Sequence, residues 1–284
     1  MRRLLPVFLA VLVVLSGCNG IGLPGASDGP PTGDSNVTTT GEGATPRTPG
    51  GNVTAASVKA DALAAIDEVT TYSVRVDQHT RYVERNQTST ANVTGEFNRT
   101  ERDLALNQSR VVSGIAVSTE TYIDGRNGTF YQYSPALEQE FGSSWVRASV
   151  AGDAEVWDQY DTLSRQRDLL AASNVSLEGV QTVNGTDAYV LTGSPNASRF
   201  QDLGIGSGSS LEVSNITATF YVSVEDATLV GSTVELAGTQ QARGRSLPFQ
   251  RTADIRFSGY GDPVTVTIPD EADDAVSVGS LNTS

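Results

Sequence analysis

The chain of 284 residues has one cysteine, one histidine, one methionine and two tryptophans, and Lys59 is its single lysine. Each shortage excludes a class of chemistry. One thiol makes no disulfide within the chain and no Cys-x-x-Cys redox motif, and one thiol with one imidazole supplies no cysteine or histidine zinc centre. Scarce, scattered basic residues argue against nucleic-acid binding, which needs clustered Lys and Arg to displace counterions from phosphates. No apolar run reaches the roughly 20 residues of a membrane-spanning helix; Leu4 to Leu15 falls short of it.

Carboxylates are abundant. Asp and Glu number 33 against 19 Lys and Arg, a formal net charge of −14. Hydrated carboxylates with almost no lysine keep a surface wet at multimolar salt, where a Debye length of about 3 Å or less removes their repulsion. That balance is expected of a halophilic archaeon; a generic acidic surface protein is the plainer alternative. Arg2 and Arg3 precede the Leu4–Leu15 run, which ends in Leu15-Ser16-Gly17-Cys18. Small residues before a cysteine at that point fit a lipobox. The expectation is a signal peptide over residues 1–17 and a diacylglyceryl group on Cys18, which becomes the first residue. An ordinary signal peptide with an incidental cysteine is the alternative.

Twelve of the thirteen asparagines head Asn-x-Ser/Thr triplets: Asn36, Asn52, Asn86, Asn92, Asn98, Asn107, Asn127, Asn174, Asn184, Asn196, Asn215 and Asn282. Some arise by chance in a Ser/Thr-rich chain, but together they suit an exported, N-glycosylated protein. Residues 18–53 are Gly, Pro, Ser, Thr, Asp and Asn with few large apolar side chains, too few to offset the entropy of ordering. They read as a tether with a span on the order of 30 Å. Residues 54–276 read as one β-rich domain, and 277–284 as a flexible tail.

Within that domain, Thr54 is placed to cap a helix whose apolar face is Val58, Ala62, Ala65, Ile66 and Val69. Tyr72, Val74 and Val76 alternate with Ser73, Arg75 and Asp77, the period of a half-buried strand. A segment from Val111 to Asp124 follows, and Asp124-Gly125 and Asn127-Gly128 mark a reversal into Thr129–Tyr133. A second helix is expected from Asp153, its cap, to about Ala172. Leu177–Val183, Asn184-Gly185 and Ala188–Thr192 form a hairpin. Ile216–Val224, Val230–Leu236 and Ala253–Phe257 are further strands. The predicted fold is mainly β (α+β): a large curved antiparallel sheet with two or three helices over its concave face.

Several motifs fit a bland reading. His79 shares the polar side of its strand with Arg75 and Asp77, and no strand leads into a Gly-x-Ser-x-Gly elbow, so no catalytic residue is assigned. The acidic groups Asp270, Glu271, Asp273, Asp274 and Asp153, Glu155, Asp158, Asp161 lack calcium-loop spacing and read as solvated surface; no metal site is assigned. Gly204-Ile205-Gly206-Ser207-Gly208 lacks the Lys-Ser/Thr ending of a phosphate loop and reads as a turn, and no cofactor is expected. Ser198–Leu203 before it is read as a short helical turn.

Three stretches carry a resemblance. Tyr122-Ile123-Asp124-Gly125 leads to Phe130-Tyr131 and then Trp145-Val146. The hairpin Glu178-Gly179-Val180-Gln181-Thr182-Val183-Asn184-Gly185 follows, and the chain closes on Phe257-Ser258-Gly259-Tyr260-Gly261-Asp262-Pro263 and Val264–Pro269. From Val58 to Ala275 this order resembles the LolA/LppX-like lipoproteins, and the whole chain resembles haloarchaeal lipoproteins carrying such a domain. The resemblance implies a half-barrel whose concave, apolar face holds a lipid, isoprenoid or other apolar ligand. It transfers no ligand residue by motif, and shuttling to an outer membrane does not carry over to an archaeon. Candidate lining residues are Tyr72, Val74, Val76, Tyr122, Trp145, Trp157, Tyr160, Phe220 and Val222. The expected protein is a non-enzymatic binder held by its lipid on the outer face of the cell membrane. The alternative is a structural or interaction protein of the envelope with no ligand cavity.

Overall fold

The alternation that begins at Tyr72 runs the length of its strand and sets the two faces of the sheet. In a computed structural model, which describes residues 51, 53–85, 87–112, 114–150, 154–195, 211–242 and 245–280, β1 spans Thr71–Tyr82. Its even positions, Tyr72, Val74, Val76, Gln78 and Thr80, are all buried. Its odd positions from Ser73 to Arg81 are partly or fully exposed, except Thr71 at the very start. We call the buried side the inner face.

A meander follows on one side of β1: β2 (Gln87–Asn98), β3 (Asp103–Val112), β4 (Ile115–Asp124), β5 (Thr129–Tyr133) and β6 (Trp145–Ser149). The short helix α2 (Leu137–Phe141) lies between the last two. The chain then crosses to the opposite edge through α3 (Ala154–Tyr160) and α4 (Thr162–Ala172). There β7 (Ser173–Val183), β8 (Thr186–Pro195), β9 (Leu211–Ser223), β10 (Leu229–Ala242) and β11 (Arg245–Ser258) meander back until β11 pairs with β1. A last segment returns to the first edge, where β12 (Val276–Ser280) pairs with β6 in parallel. The result is one open, curved sheet of twelve strands in the order β12-β6-β5-β4-β3-β2-β1-β11-β10-β9-β8-β7, antiparallel except at β12. The mainly β half-barrel expected from the sequence is the fold observed.

Local sequence explains most boundaries. The first helix, α1 (Ala55–Glu68), starts at Thr54, whose Oγ1 accepts from the Ser57 amide while Ser57 Oγ accepts from the Thr54 amide, both at 3.1 Å. This reciprocal box satisfies two backbone donors that a helix start leaves open. Val58, Ala62 and Ile66, one turn apart, are its buried stripe. Asn184 (φ 51°) and Gly185 (φ 86°) make the β7–β8 turn, and only residues tolerant of the left-handed region fit both positions.

Three expectations need correction. The helix expected from Asp153 to Ala172 is two helices, because Asp161 leaves helical geometry (φ −63°, ψ 92°) to cap α4. The segment expected to run from Val111 to Asp124 is shared between two strands, Val111 and Val112 ending β3 and Ile115 opening β4. Residues 277–280, read as tail, belong to β12. The Gly204–Gly208 loop and the Ser198–Leu203 turn lie outside the described residues.

Candidate ligand-binding site on the inner face

The inner face divides into two halves along the strands. At one end the helices are tied to the sheet. Tyr72 stacks on Phe97 at 4.5 Å, Phe97 meets Trp157 of α3 edge-on at 6.0 Å, and Phe130 lies 5.9 Å from Tyr160. Asp161 sits at the centre of this end, buried. Its Oδ1 accepts from the Tyr72 hydroxyl at 2.7 Å and from the Ser164 amide at 3.2 Å. Its Oδ2 accepts from Arg99 Nε at 3.1 Å and Ser164 Oγ at 2.7 Å. Arg99 Nη1 donates to the carbonyls of Ile66 and Val69 at the end of α1, at 2.7 and 2.9 Å. A buried ion pair is tolerable when further hydrogen bonds saturate both partners, and this one has them. The Tyr72 hydroxyl is held well above the usual phenol range by its burial first and by the Asp161 charge second. The network fastens α1, α3 and α4 to β1, with its groups engaged in one another. Lys59 adds a tie, its Nζ donating to the carbonyls of Ala171 and Ser173 at the end of α4, at 2.9 and 2.7 Å.

Toward the other end, where the β1–β2, β3–β4 and β10–β11 connections lie, the inner face continues as cross-strand rows. Ile255, Val76 and Val93 are in register across β11, β1 and β2, and so are Ala253, Gln78 and Ala91. The next row is Leu236, Arg251, Thr80 and Ser89, followed by Gly238, Phe249 and Tyr82. Val76, Val93, Leu236, Phe249 and Ile255 belong to the same apolar core as the helix end. Arg251 is only 2 % exposed in the midst of it.

The nine candidate lining residues divide accordingly. Tyr72, Val74, Val76, Trp157, Phe220 and Val222 are buried in the inner-face core, and Tyr160 packs against it. Burial alone holds the Tyr160 hydroxyl above the usual phenol range. Tyr122 and Trp145 are a correction. They occupy the opposite parity of β4 and β6 from Ile123 and Ala148, so they face outward. There they form a separate cluster with Tyr131, Tyr133, Val266, Ile268, Ala272 and Ala275, the last four from the closing segment. Strand alternation decides this, since neighbouring residues point to opposite faces. Asp161 is a second correction: expected on the solvated surface, it is a buried cap.

Sequence reasoning missed Arg99, Asp161, Gln78, Thr80, Ser89 and Arg251. One signal was available for the last. Carried upstream from Phe257, the alternation reads Ile255, Ala253, Arg251, Phe249, Leu247, a single cation at an apolar parity.

His79 is on the exposed side of β1. Among the described residues no three His, Cys, Asp or Glu side chains gather as metal ligands, and no helix is long and apolar enough to cross a membrane. Of the sequons, Asn92, Asn107, Asn127, Asn174, Asn184 and Asn215 are exposed, and Asn98 is half-buried with its Oδ1 accepting from the Glu101 amide at 3.0 Å. Cys18, Asn36, Asn52, Asn86, Asn196 and Asn282 lie outside the described residues.

No protein-family model matches the sequence, and no curated protein matches it. Among solved structures, LprF from Mycobacterium bovis is similar over 75 % of this chain and 95 % of its own, with 16 % identity and a TM-score of 0.45. A LolA superfamily protein from Nitrosomonas europaea is similar over 77 % of this chain and 96 % of its own, at 11 % identity and a TM-score of 0.27. MucB is similar over 76 % and 64 %, at 14 % identity and a TM-score of 0.35. At such scores these likenesses assign nothing to this chain, and its own residues carry the functional reading.

Proposed function

We propose that the chain is a binding protein that holds the apolar part of a lipid, an isoprenoid or a similar molecule on the inner face of its sheet. The observation that carries this is how far the apolar inner face runs beyond the helices' hydrogen bonds to the sheet. The hydrogen bonds and ring contacts tying helices to the sheet run from the Tyr72–Phe97 end as far as the Val76 row, where Ser232 Oγ of β10 donates to Gln166 Oε1 of α4 at 2.7 Å, while the apolar rows run on past it to Leu236 and Phe249. Beside those rows the inner-face positions of β4 open to solvent, with Val117 at 40 % and Ile115 at 53 % exposure. An apolar wall that continues to an exposed mouth suits a ligand that is mostly hydrocarbon.

The same reading places the protein outside the cell, tethered by a diacylglyceryl group on Cys18. Glycans are proposed on the exposed sequons, and a salt-adapted acidic surface surrounds the domain. It assigns no catalytic step, because the buried ion pair at the helix end is engaged in fastening helices. Native mass spectrometry of protein purified without detergent tests the proposal. The expected result is a subpopulation carrying a copurified apolar molecule, displaced by added fatty acid. Only apo-protein, with no uptake of fatty acid, would overturn it.

A further inference from the structure

We infer that the hairpin end of the sheet docks on a lipid bilayer, laying the tip of the β3–β4 hairpin among the headgroups and upper acyl chains. This rests on the reading just proposed, which supplies the anchor and the open mouth. Among the described residues six large apolar side chains are exposed, and four of them, Val83, Val111, Ile115 and Val117, are at this end. Val111 is opposite Ala116 and Arg110 opposite Val117, so one hairpin tip carries them, and Val83 stands on the neighbouring β1–β2 connection. Single exposed apolar residues are ordinary, whereas a cluster marks a contact. The tip is apolar on both faces: Ile115 and Val117 take the inner parity of β4, and Val111 and Ala116 the outer parity of the pair. A ligand in the concavity covers the inner side alone. A bilayer covers both.

Charge supports the assignment. From Leu104 to Thr119 the chain has no Asp or Glu, and its one charged side chain there is Arg110, although the whole chain carries 33 acids. Carboxylates hold water on the rest of the surface; a hairpin without them loses no such hydration on leaving water. Beyond the Val111 row the exposed charged groups among the described residues are Arg81 and Arg245 with Glu84 and Glu212, so this end is not acidic. A half-buried arginine at an apolar tip keeps its stem on hydrocarbon and presents its guanidinium to headgroup phosphates.

The route of the chain brings this end next to the anchor. At the end of α1 the carbonyls of Ile66 and Val69 meet Arg99, at the helix end of the sheet. Near its start Lys59 reaches the carbonyl of Ser173, the first residue of β7. Ser173 is opposite Pro195, two positions beyond Gly193, whose row continues through Ala218, Val234 and Ala253 to Gln78. The start of α1 at Thr54 is therefore on the hairpin side, and residues 18–53 join it to Cys18. A short tether holds the tip near the membrane at an effective concentration on the order of millimolar, so a weak contact suffices. With the mouth on the bilayer, an apolar molecule passes between membrane and inner face without crossing water.

The full chain is tested as cells anchor it, reconstituted into phosphatidylglycerol vesicles whose acyl chains carry nitroxides. With Cys18 taken by its lipid, I115C offers one site to a thiol-reactive fluorophore. E225C, exposed in the β9–β10 connection at the opposite end, is the control. The I115C label should be quenched about threefold more than the E225C label, as expected of a tip at the headgroup boundary. Adding V111S and V117S should bring it down to the control; all three positions are exposed, so the fold tolerates the changes. Equal quenching at both ends, or quenching that survives V111S and V117S, would overturn the docking face and leave the inner-face site standing, because fatty-acid uptake is read separately in solution. A dimer formed through this tip, its label shielded from the nitroxides, would make a second copy the occupant and overturn it too. Fluorophore on Cys18 of the wild-type chain would overturn the anchor alone. The unanchored chain should then still float with the vesicles and lose flotation on V117D; failure to float would overturn the docking face.

Discussion

The two ends of the inner face use the same kinds of group for different ends. Each has an arginine beside a hydroxyl on β1, half-buried at Arg99 and buried at Arg251. At the helix end Arg99 meets a carboxylate, Asp161, and the pair is saturated by Tyr72, Ser164 and two helix carbonyls. At the hairpin end Arg251 and Arg110 meet the hydroxyls of Thr80 and Ser89. The first arrangement ties helices to the sheet; the second ties strand to strand. Charge alone does not distinguish them. What distinguishes them is which elements each one joins.

The comparison breaks most visibly at Asp161. D161A strands Arg99 and removes both the acceptor for Tyr72 and the cap of α4. Breaking a buried pair costs about 3–5 kcal/mol, so urea unfolding should shift by that amount or the variant should not fold. A change below about 1 kcal/mol would deny the network its structural role. Y72F, which deletes one hydrogen bond to that carboxylate, should cost about 2 kcal/mol in the same assay.

Alkali provides a graded version of the same test. The hydroxyls of Tyr72, Tyr122, Tyr160 and Tyr260 all lie above the phenol range, chiefly through burial, with Tyr122 pushed up to about 12. A raised folded value means that the unfolded chain loses its proton first. Stability should be flat below about pH 10, the value for free tyrosine, and fall as the pH rises beyond it. Denaturation midpoints measured from neutral pH upward check this, together with phenolate absorbance. Phenolate absorbance of all nine tyrosines appearing in the native state at the ordinary pH would contradict the burial.

Smaller effects sharpen the contrast. T54A, which removes one half of the α1 capping box, should cost about 1 kcal/mol. R251M should cost least, within about 1 kcal/mol of the wild type, because exchanging a buried cation for an apolar side chain of similar length is often neutral. A stability loss at R251M as large as that at D161A would erase the distinction between the two ends.

How far the sequence reached follows from which signals are local. Alternation in Tyr72–Val76 and Ile216–Val222, the Thr54 cap and the Asn184-Gly185 turn are encoded within a few residues, and all appear in the structure. Tyr122 and Trp145 fall on the outer face because parity, and not aromatic character, decides the face a strand residue takes. Ile123, the neighbour of Tyr122 in sequence, has the inward-facing position. Asp161 reads as surface because an acidic residue in an acidic chain carries no local mark of burial. Its partners Tyr72 and Arg99 are 89 and 62 residues away. Arg251 and Arg110 reach Thr80 and Ser89 from β11 and β3, contacts that belong to strand order and not to any motif.

The central claim is that the inner face holds an apolar chain. Photolabelling with a fatty acid carrying a diazirine along its tail, followed by peptide mapping, tests it most directly. Labels should fall on inner-face positions such as Val76, Val93, Phe249 and Ile255 and skip their neighbours Asp77, Thr94, Gln250 and Arg256. Labels spread over both parities, or confined to the outer cluster around Tyr122 and Trp145, would contradict it.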